Sequence, residues 1–462
     1  MTTELWRLPA KRLAAMIAAR QVSSVEVMDS VLAQAERQHA RLNLFVLPLF
    51  EQARDSARVA EKAVMAGGPL GPLLGVPVTV KDNVAMAGLP TSNGSLATPA
   101  PVAAADWAVV ARLRAAGAIP IGKTTLPEFA HKVLTDGPQT GVTRNPWNLE
   151  RTPGGSSGGA SAALAAGVAP LAIGTDGGGS IRCPASCTGV VGLKVTLGRI
   201  PNETFPDPFG NYAFVGPMAR SVADCALMAS VMQGPDPFDP YSLGAPPHPP
   251  RPAVKGLRIG WVEHFARYRT HPEVLACMAR ARAALEAAGA VIEPLDTSCF
   301  DDAFDTYMVV ATTAHAARLG PLEEKAGERM TTSLRESIEI GRRFSAMDLV
   351  RAMDRRGVLF RAVQRIFARF DLIATPTMLA PPPALDAGGS VASAFYAEWA
   401  APLYPFNLTG HPAASIPAGF SVEGTPVGLQ LVGPWHGEER ILGASAALEE
   451  ALGSPGCWPA LT

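Results

Sequence analysis

Two short glycine-rich segments each contain a serine whose hydroxyl group could act as a nucleophile. One segment, T-P-G-G-S-S-G-G, contains Ser156 and Ser157, and the other, G-T-D-G-G-G-S-I-R, contains Ser180 directly after three glycines. Lys81 lies upstream, at the end of the apolar run V-P-V-T-V-K. A serine hydroxyl is a weak nucleophile until a base removes its proton. These residue types indicate acyl transfer, provided that the chain also supplies the base.

The sequence favours Lys81 as this base. No histidine lies near Ser180 in the sequence and no G-x-S-x-G motif surrounds it, so a Ser-His-Asp triad has little support. A lysine becomes a usable base when burial lowers its pKa from about 10.4 towards about 7–8. The apolar residues that precede Lys81 favour such burial.

The glycine triplet before Ser180 suits a second requirement of acyl transfer. A tetrahedral intermediate carries an oxyanion, which converging backbone N–H groups can bind. Glycines leave space for this convergence and tolerate the backbone angles that it demands. We therefore predict that Gly177, Gly178 and Gly179, together with Ser180, form an oxyanion hole.

These motifs resemble those of the amidase signature family of serine hydrolases. The resemblance runs from about residue 75 to 216, and two C-terminal motifs, P-F-N-L-T-G-H-P-A-A-S-I-P and P-V-G-L-Q-L-V-G, also look like that family. Members use a Ser–cis-Ser–Lys triad, which implies Ser180 as nucleophile, Ser156 as bridging serine and Lys81 as base. The implied reaction is hydrolysis of a carboxamide to an acid and ammonia or an amine through an acyl-enzyme.

Several neighbouring residues are expected to support this site. Thr175 and Asp176 precede the glycines and are predicted to brace the loop. Ser157 is interpreted as a helix-start serine. Arg182 is predicted to anchor the turn between strand and helix, with contact to an acidic substrate as the alternative. Asp82 is expected to point away from Lys81, because a paired carboxylate would favour the charged lysine.

The substrate pocket is predicted to lie between residues 126–138 and residues 395–411. Phe129 contributes to the first wall, and His131 either packs in its loop or touches the substrate or leaving group. The rings in these segments predict an aryl or otherwise apolar amide, with a role in the core as the alternative. These rings are Phe129, Phe395, Tyr396, Trp399, Tyr404 and Phe406.

Two other functions share the same chemistry. Glutaminase subunits of tRNA-dependent amidotransferases carry F-A-M-G-S-S-T-E-N where this chain has F-A-H-K-V-L-T-D-G, which argues against that role. An esterase using the same triad is the second alternative. A binding protein that keeps the fold without activity is disfavoured, because Lys81, Ser156 and Ser180 are all intact. No metal or organic cofactor is expected, since the chain supplies nucleophile, base and oxyanion donors.

The composition restricts the partners. Of the 462 residues, 48% are hydrophobic and 18% are charged, which is typical of a compact globular protein. The net charge is −1 and no basic stripe is present, so neither nucleic acid nor a membrane is an expected partner. Six scattered cysteines and an N-terminal sequence without the apolar core of a secretory signal predict a cytoplasmic protein. The resemblance implies a homodimer.

The elements that must position the site follow an α/β pattern, with helix, short apolar strand and loop in alternation. The resemblance implies a large mixed β-sheet surrounded by α-helices. We predict one domain over residues 1–462. Its parts are N-terminal helices (about 1–66), the catalytic core (about 71–224), a Pro-rich surface connector (235–252), a candidate helical cap (about 300–370), and C-terminal core strands with a pocket wall (about 371–462).

Overall fold

The computed structural model describes residues 4–246, 253–387, 391, 394–453 and 457–460. Residues 1–3 of the predicted N-terminal helices and residues 247–252 of the Pro-rich connector lie outside the described residues. The same holds for residues 388–390, 392–393, 454–456 and 461–462 of the predicted C-terminal segment.

The strands within the described residues are β1 (Phe45–Pro48), β2 (Pro77–Lys81), β3 (Ile119–Thr124), β4 (Asp136–Gly137), β5 (Gly141–Val142), β6 (Leu171–Asp176), β7 (Val191–Lys194), β8 (Phe214–Ala219), β9 (Arg258–Trp261), β10 (Val291–Pro294), β11 (Leu372–Pro376), β12 (Ala413–Phe420) and β13 (Pro426–Val432). Within this part of the chain, 11 strands form one sheet in the order β1-β3-β2-β6-β8-β7-β12-β13-β11-β9-β10. The β2-β3, β2-β6, β9-β10 and β9-β11 pairs are parallel, and the other pairs of this sheet are antiparallel. The sheet is therefore mixed, as predicted.

The helices that surround this sheet are α1 (Ala10–Ala18), α2 (Ser24–Leu42), α3 (Phe50–Ala66), α4 (Ala108–Ala115), α5 (Gly158–Ala165), α6 (Arg182–Thr188), α7 (Val222–Met232), α8 (Pro272–Ala287), α9 (Ala303–Ala326), α10 (Thr332–Arg342), α11 (Ala346–Phe367), α12 (Ala394–Ala400), α13 (Tyr404–Leu408) and α14 (Glu438–Leu452). The predicted α/β fold class is thus confirmed. The segment 300–370, predicted to be helical, forms α9, α10 and α11, which pack through α9 against one another and against α13.

Local sequence signals explain where individual helices begin. Ser23 precedes α2 and accepts a hydrogen bond from the Glu26 N–H (3.0 Å), while the Glu26 carboxylate accepts one from the Ser23 N–H (2.8 Å). This reciprocal pair satisfies two N–H groups that the first helical turn would leave unpaired. Glycine and alanine dominate α5, which is buried along its whole length. A Cβ on Gly159 would lie 2.3 Å from Thr125 Oγ1, so the missing side chain lets α5 approach the end of β3.

Parallel pairing of β2 with β6 brings the two chemical segments together. The register pairs Val78 with Leu171 and Val80 with Ile173. Lys81 ends β2, and Thr175 and Asp176 end β6, so these residues meet at the same edge of the sheet. Carboxyl ends of parallel strands are a recurrent location of ligand sites in open α/β sheets.

Candidate active site

The side-chain nitrogen of Lys81 lies between two hydroxyl groups. Lys81 Nζ is 2.7 Å from Ser156 Oγ and 2.8 Å from Thr175 Oγ1. The Asn83 side-chain amide donates to the same Thr175 hydroxyl at 3.0 Å. Thr175 therefore contacts the lysine directly, which is a closer role than the loop support that the sequence predicts. Asn83 was not predicted from the sequence, although it lies two residues after Lys81.

Burial lowers the pKa of Lys81. Its side chain is fully buried, and this desolvation lowers its pKa well below the ordinary lysine value, against the opposing charge of Asp176. The adjacent Asp82 does not pair with it. The Asp82 carboxylate instead lies 3.1 Å from Lys123 Nζ and accepts a hydrogen bond from the Ser92 N–H. Asp82 thus points away from Lys81, as expected.

Ser157 ties the Ser156 loop to β6 and to the loop of Ser180. The Ser157 N–H donates to the Ser180 carbonyl at 3.1 Å, and its hydroxyl donates to the Thr175 carbonyl at 3.2 Å. Ser157 precedes α5 as predicted, but its side chain caps no N–H of that helix. Ser157 therefore lies at the start of the helix without capping it, because its hydroxyl group forms hydrogen bonds with the backbone of Thr175.

Ser180 and Ser156 both line one cavity of about 430 Å³. Ser180 is 6% exposed and follows β6 through the glycine triplet. Within the described residues, no hydrogen bond joins the hydroxyl groups of Ser156 and Ser180. Catalytic hydrogen bonds are often long or poorly aligned before a substrate is bound and shorten in the complex. Lys81 is thus hydrogen-bonded directly to Ser156, and Ser180 lines the same cavity as Ser156.

The glycine triplet divides into two parts. Gly177 and Gly178 line the cavity with Ser180, and within the described residues the N–H groups of these three have no hydrogen-bond partner. The Gly179 N–H instead donates to the Asp176 carboxylate at 2.7 Å. This corrects the prediction for Gly179. Its φ of +108° and a nearby Leu403 side chain explain why a glycine occurs there.

Asp176 and Arg182 form a buried ion pair behind this loop. Arg182 Nε lies 2.9 Å from the Asp176 carboxylate, and Arg182 also donates to Asn407 Oδ1 at 2.5 Å. Although burial opposes the charge on Asp176, Arg182 keeps its pKa well below the usual range. Both side chains are fully buried, and neither lines the cavity. Of the two roles considered for Arg182, the anchoring of the turn matches this position.

His131 connects two structural segments on the cavity wall. Its Nδ1 lies 2.6 Å from the Glu128 carbonyl oxygen and its Nε2 lies 2.8 Å from the Ser333 hydroxyl at the start of α10. Burial lowers the pKa of His131 to about 3, so the ring is neutral near pH 7. Phe129 lines the same cavity with a φ of +48°, in the left-handed region.

The two predicted wall segments supply only part of the lining. Phe129, Tyr396 and Tyr404 line the cavity, whereas Phe395, Trp399 and Phe406 are not among its lining residues. Trp399 and Phe406 are buried in the hydrophobic core. A further wall, formed by α9 and by the loop before β8, was not predicted from the sequence. Helical spacing is the sequence signal that could have identified the α9 part of this wall. The wall residues that were missed include Phe304, Tyr307, Ala311, His315 and Arg318 in α9, and Phe205 and Tyr212 in the loop before β8.

Two further observations concern metal ligands and membrane-spanning helices. Among the described residues, no group of three or more His, Cys, Asp or Glu side chains is arranged to hold a metal ion. None of the helices in the described ranges has the length and apolarity needed to cross a membrane.

A buried lysine hydrogen-bonded to a serine, beside a second serine and free backbone N–H groups in one cavity, is the type of site that performs nucleophilic hydrolysis. Comparisons with known proteins also indicate a hydrolase. The model of the Amidase family matches residues 26–442. The chain belongs to the amidase signature family and is an amide hydrolase, which confirms the resemblance found in the sequence.

Individual relatives span almost the whole chain. A glutamyl-tRNA(Gln) amidotransferase subunit of Moorella thermoacetica is 36% identical over 97% of each sequence. The acylamidase of Rhodococcus erythropolis is 35% identical over 96% of this chain and 95% of its own length. The crystal structure of a bacterial aryl acylamidase of the amidase signature family matches with a TM-score of 0.88 and 28% identity, over 96% of each chain.

Proposed function

We propose that the protein hydrolyses linear carboxamides to a carboxylic acid and ammonia or an amine, through an acyl-enzyme on Ser180. The contact of 2.7 Å between Lys81 Nζ and Ser156 Oγ carries this proposal. A fully buried lysine with a lowered pKa is a base that can act near neutral pH. Ser156 then serves as the bridge between this base and Ser180.

The proposed reaction moves one proton along this bridge in each direction. Neutral Lys81 takes a proton from Ser156, Ser156 takes one from Ser180, and Ser180 Oγ attacks the amide carbonyl carbon. The N–H groups of Gly177, Gly178 and Ser180 stabilise the resulting oxyanion. As the C–N bond breaks, Ser156 gives a proton to the leaving nitrogen and regains one from Lys81, which becomes neutral again. Water then attacks the acyl-enzyme, losing its proton through Ser156 to Lys81, and the acid is released as Ser180 regains its proton by the same route.

A label specific for activated serines tests this assignment. The protein is treated with a fluorophosphonate and the adduct is located by peptide mass spectrometry. We expect labelling on Ser180 that is lost in Ser180→Ala and Lys81→Met and retained in Ser161→Ala, which removes a buried hydroxyl in the middle of α5. Circular dichroism of each variant shows whether it is folded. Labelling of Ser180 that survives in folded Lys81→Met would overturn the role of Lys81.

The substrate is proposed to carry an aryl or apolar group. Support comes from the rings of Phe129, Tyr396 and Tyr404 in the cavity and from the similarity to an aryl acylamidase. Rings of a substrate and of a wall gain from stacking and from burial of apolar area. Turnover of acetanilide and benzamide is compared with that of acetamide. A preference for acetamide would contradict the proposed aromatic pocket.

Glutamine hydrolysis within an assembly is the second candidate, because the amidotransferase subunit of Moorella thermoacetica is as similar to this chain as the acylamidase is. The changed segment at residues 129–137 argues against it. A glutaminase assay beside an anilide assay separates the two candidates. Turnover of glutamine without turnover of anilides would favour the role within an assembly. An esterase activity is tested with the matching aryl ester.

The remaining predictions concern the whole protein. A single domain, a helical cap over residues 300–370, a homodimer and a cytoplasmic location stay predictions. Sedimentation equilibrium of the purified protein measures the number of chains in the assembly, and a dimer is expected.

A further inference from the structure

The cavity of the candidate active site has an unbalanced charge on its wall. No Asp or Glu is among its described lining residues, whereas Lys132 and Arg318 both line it. Lys132 forms an ion pair with Asp136. Burial lowers the pKa of His131 to about 3 and that of His315 to about 4, so both rings are neutral near pH 7. Arg318 is an exposed residue at the cavity and supplies a positive charge that no carboxylate of the lining compensates.

Arg318 has no acidic partner to neutralise it. Within the part of the chain that the structure describes, no carboxylate lies at ion-pair distance from its guanidinium group. The group lies over the Phe205 ring instead, with 4.0 Å between the guanidinium carbon and the ring centroid. Stacking on a ring leaves the N–H groups at the edge of the guanidinium available for an anion.

The position of Arg318 on α9 relates it to the reacting groups. Tyr307, Ala311, His315 and Arg318 follow each other at intervals of three or four residues and all line the cavity. Tyr307 marks the reactive end, because a Cβ on Gly178 would lie 2.3 Å from Tyr307 Oη. Eleven helical residues rise about 16 Å, and side chains on a helix lean back towards its N-terminus. A substrate with its amide at Ser180 and an anion at Arg318 therefore needs a spacer of several bonds between the two groups.

We propose that Arg318 binds a carboxylate of the substrate, so that the preferred substrates are amides with an apolar spacer and an anionic end. This inference rests on the proposed function. The planar guanidinium can hold a carboxylate through two parallel N–H···O bonds. Met308, Ala311 and Ala314 line the cavity between Tyr307 and Arg318 and suit a hydrocarbon spacer. The lack of acidic residues in the described lining avoids repulsion of the anion.

The test compares pairs of substrates that differ only at their far end. One series consists of monoamides of linear dicarboxylic acids, each paired with the alkanamide that has a methyl group in place of the carboxylate. The second series, N-acetyl ω-amino acids paired with N-alkylacetamides, carries the charge on the amine side. The measured quantity is the ratio of kcat/KM between the charged and the neutral member. Each ratio is measured for the wild type, Arg318→Gln, Arg318→Lys and Lys325→Gln.

In the wild type we expect the charged member to be favoured about tenfold or more in the longer members of one series, as for a charge-assisted hydrogen bond. Arg318→Gln should bring this ratio close to one, mainly through KM, and Arg318→Lys should retain part of it. Lys325→Gln removes one exposed charge from the same helix and should keep the wild-type ratio. Added salt should reduce the ratio in the wild type.

The outcomes separate this inference from the proposed function. If the neutral amides are cleaved and the charged members have no advantage at any length, Arg318 does not bind the substrate and the inference is overturned. An equal loss of the ratio in Lys325→Gln would also overturn it, because the effect would then come from overall charge. If neither member of any pair is cleaved by folded wild-type protein, the proposed function itself fails, and this inference with it.

Discussion

The closest groups to the Lys81 side-chain nitrogen are hydroxyl groups, which suit a neutral amine. Among the described residues, no carboxylate forms an ion pair with it. Its two closest partners are the hydroxyl oxygens of Ser156 and Thr175. The two carboxylates nearby are engaged elsewhere, Asp82 with Lys123 and Asp176 with Arg182. Desolvation therefore outweighs the attraction of Asp176, and the pKa of Lys81 is lowered.

The lowered pKa of Lys81 predicts the pH dependence of the reaction. Protonation removes the lone pair that accepts the proton from Ser156, so kcat/KM should fall as pH falls through this pKa and stay level above it. Because burial lowers the pKa, the level part should begin well below the ordinary value of 10.5. The measurement is the pH profile of kcat/KM with an uncharged amide.

Lys81→Arg should lower kcat/KM by about 10²–10⁴-fold at every pH, because a guanidinium stays protonated and cannot act as a base. Lys62→Arg, on the exposed side of α3, provides the matched control and should keep the wild-type profile. A wild-type profile that continues to rise up to the ordinary lysine pKa would contradict the proposed role of Lys81.

At the scale of elements, the turn from β6 into α6 holds the proposed oxyanion donors. The Asp176 carboxylate accepts hydrogen bonds from the N–H groups of Gly179 and Ile181, and Arg182 fixes this carboxylate from behind. Gly178 touches Tyr307 of α9 on the other side. The turn is thus fixed both by its own ion pair and by a neighbouring helix.

Two single-methyl substitutions in this turn should differ in their effect. A Cβ on Gly178 would lie 2.3 Å from Tyr307 Oη, whereas a Cβ on Gly177 would meet the Ala213 Cβ at an ordinary 3.7 Å. Gly178→Ala must shift the turn or the Tyr307 side chain, and we expect a loss of kcat/KM of about tenfold or more, since misplacement by about 1 Å can cost 10²-fold. Gly177→Ala should lose less. Equal losses in steady-state assays would show that Tyr307 does not restrict the turn.

At the scale of the molecule, a buried carboxylate joins the catalytic core to the 300–370 helices. Glu128 is fully buried and accepts hydrogen bonds from the Ser95 hydroxyl (2.7 Å), the Thr331 N–H (2.7 Å) and the Thr331 hydroxyl (2.8 Å). Thr331 precedes α10 directly. Glu128 therefore connects the core to the start of α10, which packs against α9.

Glu128→Gln should loosen this contact, because an amide NH₂ group replaces one acceptor oxygen. This NH₂ group would face the N–H or O–H donors of Thr331 or Ser95, which would then lack an acceptor. We expect a loss of stability of about 1–3 kcal/mol, typical of an unsatisfied buried group, and faster hydrogen exchange in residues 328–342. Glu328→Gln, an exposed carboxylate near the same helix, serves as the control and should change neither quantity appreciably. Unchanged exchange in Glu128→Gln would mean that α10 is held by its apolar contacts alone.

The residues of the proposed chemistry and the fold class could be predicted from the amino-acid sequence alone. Lys81, Ser156 and Ser180 could be selected because a nucleophile, a base and a glycine loop are each local features of the chain, and the resemblance added the bridging role of Ser156. The pairing of β2 with β6 was not needed for this selection. Local signals also predicted the helices of the N-terminal region and the helical character of residues 300–370.

The contacts between these groups depend on the three-dimensional packing of the chain. The engagement of the Gly179 N–H by Asp176, the contact of Thr175 with Lys81 and the cavity wall formed by α9 all join segments whose relative position depends on packing of the whole sheet and its helices. Half of the aromatic residues predicted as wall were not found in the lining, since side-chain direction follows from packing as well as from residue type. Arg318 illustrates the same point: it is an exposed helical arginine, and only the fold places it at the cavity, where it has no acidic partner among the described residues.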